Sequence, residues 1–167
     1  VTGASGGVGS AAVQLIKDRG ADVIAVTSDS KSQDLIMLGA TKTLNRDQSV
    51  VEALGSNSVD VVIDLVGGKS WPALLEILRP GGRYAVSGAI AGAFVELDLR
   101  TLYLKDLSFF GCTVLGSNVF TNLIDHIESG NIKPIVAHTF PLEDIVKAQE
   151  LFLLKKHIGK IVLTINT

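Results

Sequence analysis

The sequence is short of cysteine, of aromatic side chains and of any charge imbalance. Its one cysteine, Cys112, excludes an internal disulfide and any multi-cysteine metal site within the chain. A formal net charge of −2 gives no electrostatic footing to nucleic acid or to an anionic membrane surface as partners. No apolar run is long enough to span a bilayer and no signal peptide is visible, so the expected setting is the reducing cytoplasm. His126, His138 and His157 are too scattered to suggest a metal site, and no metal ligand is assigned. There is no internal repeat and no low-complexity segment. An initiating methionine is also missing, and the chain opens inside a strand; the expectation is a piece of a longer protein.

What is present is apolar residues in short runs and glycine at their ends. With 47% hydrophobic residues over 167 positions, the chain can bury a real core. Glycine gathers at the start, in Val1-Thr2-Gly3-Ala4-Ser5-Gly6-Gly7-Val8-Gly9. A helix should follow, with Val8, Ala11, Ala12, Leu15 and Ile16 on one apolar face and Gly20 ending it. Strand, glycine turn, helix is the local order a phosphate cradle needs. Glycine lets the backbone approach a pyrophosphate, and the free N–H groups of the first helical turn receive its charge. A tight turn with no ligand uses the same residues, so the rest of the chain must decide.

Apolar runs at Asp22–Thr27, Thr41–Asn45, Val59–Asp64, Arg83–Ser87 and Leu107–Val114 read as further strands. Helical patterns separate them near Leu35, at Val50–Leu54, Trp71–Leu78, Thr101–Lys105 and Asn118–Ser129, and Ser30–Gln33 has the form of a capping box. The alternation predicts an α/β fold, a doubly wound parallel sheet of six strands in the Rossmann manner. Beyond Pro134 a strand (Val136–Phe140), a helix (Glu143–Leu154) and a strand (Lys160–Ile165) are expected. In such sheets ligands bind at the carboxyl ends of the strands.

Several segments in order resemble the medium-chain dehydrogenases/reductases, the zinc-type alcohol dehydrogenases and quinone oxidoreductases. They are Gly3–Leu15, Leu38-Gly39-Ala40, Val61–Gly68, Leu78–Arg83 and His157–Leu163. Alanine at position 4, where the fingerprint has its first glycine, is closer to the quinone oxidoreductases. The competing glycine count, that of short-chain dehydrogenases, needs a tyrosine with a lysine four residues on; Tyr84 is followed there by Gly88 and Tyr103 by Leu107.

The resemblance implies a Rossmann domain over residues 1–135 and, over 136–167, a return to a GroES-like catalytic domain that is absent. It implies hydride transfer between a nicotinamide and a carbonyl, alcohol, quinone or activated alkene, and it leaves zinc open. It names no catalytic residue. The backbone of Ser5, Gly6, Gly7 and Val8 is expected at the pyrophosphate. Thr27, Ser28, Lys31 and Arg46 are expected at the adenosine end, and Val66, Gly88 and Thr113 towards the nicotinamide. Neutral Thr27 and Ser28 with Lys31 suit a 2′-phosphate, so NADP(H) is expected over NAD(H), although Asp29 argues the other way. Cys112 reads as a small buried hydrophobe, Trp71 as a packing residue and His126 as part of a wet helix face. Partners are expected to be the dinucleotide, a small-molecule substrate and a second copy joined through the apolar sixth strand. The alternative of another class is a nucleotide-binding sensor or scaffold without activity; a Rossmann methyltransferase is disfavoured by Thr27, where that class expects an acid.

Overall fold

Ala25 points to one apolar layer and its neighbours Ile24 and Val26 to another, so the strand they share has helices on both sides. The computed structural model describes residues 1–113 and 116–165. In chain order the elements are α1 (Gly7–Asp18), β1 (Ile24–Thr27), α2 (Ser32–Met37), β2 (Lys42–Asn45), α3 (Val50–Leu54), β3 (Val59–Asp64) and α4 (Trp71–Ile77). There follow β4 (Leu78–Val86), α5 (Leu99–Leu104), β5 (Ser108–Gly111), α6 (Ser117–Glu128), β6 (Val136–Pro141), α7 (Ile145–Leu153) and β7 (Lys160–Thr164). No helix among the described residues is long and apolar enough to cross a membrane.

All strand pairings are parallel: β1 with β2, β3 with β4, β4 with β5, and β6 with β7. The expected sheet of six strands is thus assigned as groups of two and three, with a separate pair at the end. The expected first strand is too short to count as one, because Gly3 turns left-handed (φ 58°) just after it. Its backbone nevertheless joins the two groups. Val1 and Ala4 exchange hydrogen bonds with β1 (Val26 N to Val1 O, 2.8 Å; Ala4 N to Val26 O, 3.3 Å), while Thr2 N donates to Ile63 O of β3 at 3.0 Å.

Two apolar clusters fill the layers. Leu44, Val62, Trp71, Leu74, Leu75, Leu78 and Tyr84 form the larger, with α3 and α4; Ala4, Val13, Val23, Ala25, Leu35 and Ala40 form the smaller, with α1 and α2. Full burial of a leucine such as Leu75 or Leu78 contributes about 1.5–3 kcal/mol. Trp71 packs edge-on against Tyr84 and Phe109, with ring centroids 5.7 and 5.9 Å apart.

Five local expectations are corrected. The buried face of α1 is Gly9, Ser10 and Val13, and Val8 is half exposed. The helix comes so close to the Gly3–Ala4 backbone that a Cβ on Gly9 would overlap it, so a glycine, not the apolar stripe, sets the contact. The capping box at Ser30–Gln33 does not form: a single 3₁₀ turn, Asp29–Lys31, leads into α2, whose N-cap Lys31 makes no side-chain cap. The sixth strand is four residues long, all exposed, and Val114 lies outside the described residues. Cys112, just past that strand's end at the sheet edge, is exposed. His126 is not simply a wet residue either; its Nδ1 lies 3.1 Å from Asp18 Oδ2, tying α6 to the end of α1.

Past Pro134 the strand–helix–strand order is as expected, and the segment docks on the start of the chain. Gly159 N donates to Ser5 O at 3.0 Å. Gln14 grips the main chain of Lys133 twice, Nε2 to O at 3.1 Å and Lys133 N to Oε1 at 2.9 Å.

Candidate functional site

A cleft of about 620 Å³ opens between the glycine turn, the ends of β1, β2 and β3, and the last turn before β7. Ligand pockets commonly fall in the range of about 300–1,000 Å³. Ser5, Gly6, Gly7 and Val8 line its floor, Thr27, Ser28, Lys31 and Arg46 one end, and Val66 the other. Nine of the eleven residues singled out above therefore share it. Gly88 and Thr113 do not. Gly88 is pressed against Leu65 O, where a Cβ would stand 2.6 Å away, and lines a smaller aromatic pocket behind the loop. Thr113 is exposed because β5 stops at Gly111 and Cys112 N is drawn back to Val86 O at 2.9 Å.

The floor is the N-terminus of α1. Gly6 is its N-cap in extended conformation, and the first-turn amides of Gly7, Val8 and Gly9 have no partner within the helix. The Lys160 side chain lies across this turn; a Cβ on Gly7 would run into its outer carbons. A cation over the positive end of a helix is unfavourable by itself and needs an anion between them. Lys160 belongs to the His157–Leu163 segment, whose family likeness is visible in sequence, but nothing local marks it as facing Gly7.

The end around Thr27 is cationic and incompletely bonded. The buried Thr27 hydroxyl has no hydrogen-bond partner, nor has Nδ1 of His157. Lys31 Nζ donates to three oxygens, two of them 124 and 126 positions away: Lys155 O at 2.6 Å, His157 O at 2.8 Å and Ser5 Oγ at 3.5 Å. It thereby fastens the Lys155–Gly159 loop over the cleft. Burial, then the charges of Arg46 and Lys155, hold the Lys31 ammonium below the ordinary lysine range. His157 is likewise pushed down, by burial first and then by Lys31, Lys155 and His138. Lys155 itself sits over the Phe152 ring, 3.4 Å from its centroid. Asp29 does not line the cleft: its carboxylate accepts from Asn45 Nδ2 at 2.8 Å.

The opposite end is saturated. Asp64, fully buried at the end of β3, accepts from Thr2 Oγ1 (2.5 Å), Tyr84 OH (2.6 Å), Val66 N (2.9 Å) and Gly67 N (3.1 Å). Thr2 Oγ1 in turn receives Leu65 N at 2.9 Å, so one carboxylate and one hydroxyl hold three successive amides. Burial alone would raise the Asp64 pKa, but these donors outweigh it and keep the carboxyl below its usual range. Burial and then the Asp64 carboxylate push the Tyr84 phenol up. The network shapes the loop, as a strand-end acid beside Gly67 and Gly68 suggests.

The arrangement fits a dinucleotide. Glycines clear the floor, a lysine waits above unbonded amides, and an orphaned hydroxyl and imidazole face the cationic end. No three His, Cys, Asp or Glu side chains come together as a metal site among the described residues.

Comparison with known proteins places the chain in a family. The family model for zinc-binding dehydrogenases matches residues 7–129. An acryloyl-coenzyme A reductase from Sulfurisphaera tokodaii is 33% identical over 162 residues, 96% of this chain and 48% of that protein. A quinone oxidoreductase from Rattus norvegicus is 28% identical, over 90% of this chain and 49% of its own length. A solved Sinorhizobium meliloti structure assigned as an alcohol dehydrogenase superposes with a TM-score of 0.93 at 43% identity, over 99% of this chain and 47% of that one. The chain thus spans about half the length of the relatives it matches. It belongs to the zinc-binding dehydrogenases of the medium-chain dehydrogenase/reductase family and corresponds to their cofactor-binding domain.

Proposed function

We propose that the chain is the cofactor-binding part of an NADP(H)-dependent oxidoreductase acting on a carbonyl, alcohol, quinone or activated alkene. The single observation that carries NADP(H) is the cationic end: Lys31, Arg46 and Lys155 crowd together beside an orphaned Thr27 hydroxyl, with Asp29 turned away. Mutually repelling cations are relieved by a phosphate dianion, and an adenosine 2′-phosphate would supply it. A 2-octenoyl-CoA carboxylase reductase solved with NADP, 25% identical with a TM-score of 0.85, supports the reading.

In this reading the Ser5–Val8 backbone and Lys160 hold the pyrophosphate, and Thr27, Ser28 and Arg46 hold the adenosine end. Lys31 acts chiefly by fastening the loop that carries Lys155 and His157. The Asp64 network fixes Leu65, Val66 and Gly67 where the nicotinamide ring would be oriented. The nicotinamide supplies the hydride chemistry; the residues bind, orient and exclude water. Substrate walls and any zinc are assigned to a further domain, to which residues 136–167 return. A second copy joined along β5 belongs to the same proposal: Phe109 and Phe110 are exposed there, and Phe110→Lys should lower the dimer fraction in light scattering.

The binding test is fluorescence titration with NADPH and NADH. Gly7→Glu, which puts a side chain and a negative charge under Lys160, should weaken both by about tenfold or more. Unchanged binding would remove the cleft as the site. Tighter binding of NADH than NADPH by the unaltered chain would remove NADP(H).

A further inference from the structure

Asp29 is the sole acid between Asp22 and Asp34, and it stands two residues past the end of β1. In dinucleotide folds an acid near this strand end hydrogen-bonds the adenosine ribose and so favours NAD(H) over NADP(H). Here the acid is present but does not face the cleft, although Thr27, Ser28 and Lys31 on either side of it do. Nor does it pair with the cations beside it: among the described residues Asp29 makes no ion pair within 4.0 Å. Its partner is an amide. Asn45 is the last residue of β2 and lies opposite Thr27 in the parallel register. Its Oδ1 receives Asp47 N at 2.9 Å, and Arg46 N donates to Thr27 O at 2.7 Å. The second bond fixes the backbone beside Asn45 and the first orients its amide, so that Nδ2 is presented to Asp29 Oδ2 at 2.8 Å.

We propose that Asn45 is a positioning residue for cofactor choice. It holds Asp29 out of the ribose pocket, so the pocket takes a 2′-phosphate; releasing Asp29 turns the same pocket towards NAD(H). The proposal rests on the NADP(H) reading above. A carboxylate set free here would accept from the ribose hydroxyls of NADH and repel the 2′-phosphate of NADPH. It would also draw Arg46 away from a phosphate.

The experiment is a double-mutant cycle on dissociation constants for NADPH and NADH, measured at one ionic strength. The proteins are the unaltered chain, Asn45→Ser, Asp29→Asn and the double variant. Serine keeps an oxygen for the Asp47 amide and has no amide to offer Asp29. Asn45→Ser should cut the preference for NADPH over NADH by about fivefold or more. Asp29→Asn should change it by less than about twofold in the unaltered background, and should restore it in the Asn45→Ser background. Thermal melts of all four proteins verify that the fold is retained.

An unchanged preference in Asn45→Ser overturns the proposal. So does a fall that Asp29→Asn fails to rescue, and so does an equal effect of Asp29→Asn in both backgrounds. The NADP(H) reading is judged separately, by the ratio in the unaltered chain. A ratio below one sinks that reading, while the Asn45 proposal is still decided by the change between variants.

Discussion

The two ends of the cleft are built on opposite principles. At the end of β3 every strong polar group is already matched: Asp64 alone accepts from two hydroxyls and two amides. At the end of β1 a hydroxyl and an imidazole lack partners, and cations crowd one another. A buried polar group left unbonded is costly, so such groups persist where a ligand completes them. Under the proposed function the saturated end is scaffold and the unsaturated end is receptor. The difference also separates the sources of the residues. The saturated network draws on residues from Thr2 to Tyr84, whereas the other end borrows Lys155 and His157 from the loop before β7.

The most damaging test of this contrast is Asp64→Ala. It would strand Thr2, Tyr84 and two amides in the core, at a cost of about 3 kcal/mol or more. Urea denaturation should show the midpoint fall, and a loss under about 1 kcal/mol would mean the end is not scaffold. The same carboxylate gives a pH signature. Its folded pKa is depressed, so its contribution is complete above the unfolded value of about 3.9 and is lost as pH falls through the folded one.

Lys160→Met should separate binding from stability. Both NADPH and NADH should bind about tenfold more weakly, because the pyrophosphate loses a charge-assisted partner. The free chain should melt no lower than before, since the cation faces the positive end of α1. A clear drop in melting temperature would make Lys160 a structural residue.

Smaller and more selective is Lys155→Met. It should cost NADPH about fivefold and NADH little, because the charge removed is at the adenosine end. Equal losses for the two cofactors would mean that Lys155 acts only through the loop that Lys31 fastens.

The scaffold end was legible in sequence and the receptor end only half so. Val59–Asp64 with Gly67 and Gly68 announces a strand and its end, and β3 forms over those residues. The glycine turn and α1 follow from local order alone. The face of α1 was misread because apolar periodicity counts side chains, while the actual contact depends on Gly9 having none. Residues 155–160 could not be placed by any local rule. Their position depends on hydrogen bonds from Lys31 and to Ser5 across more than a hundred residues, and periodicity carries no information at that range. Cys112 and the length of β5 failed for a related reason: an edge strand resembles a buried one until its missing neighbour is seen.

The smallest expected effect is also the most specific to the receptor end. In the free chain His157 is held below an ordinary histidine, by burial first and then by Lys31, Lys155 and His138. Its neutral form therefore stabilises the fold above the unfolded pKa of about 6.5, and that contribution is lost as pH falls through the lower folded value. A phosphate bound among Lys31, Arg46 and Lys155 offsets those cations and favours the imidazolium, so binding takes up part of a proton. Lowering the pH from about 7.5 to about 6.5 should tighten NADPH binding by about twofold, with no such change for NADH. The 2′-phosphate itself is half protonated at about pH 6, so below that the trend should reverse. Hence acid strengthens the hold on NADPH between about pH 7.5 and about 6.5, and it weakens the free fold only below that interval. His157→Gln, which cannot charge, should flatten both slopes without altering the preference at pH 8. Titrations and melts at matched ionic strength measure the two slopes together. A variant that keeps the NADPH slope would assign the proton to another group and leave His157 a bystander at this end.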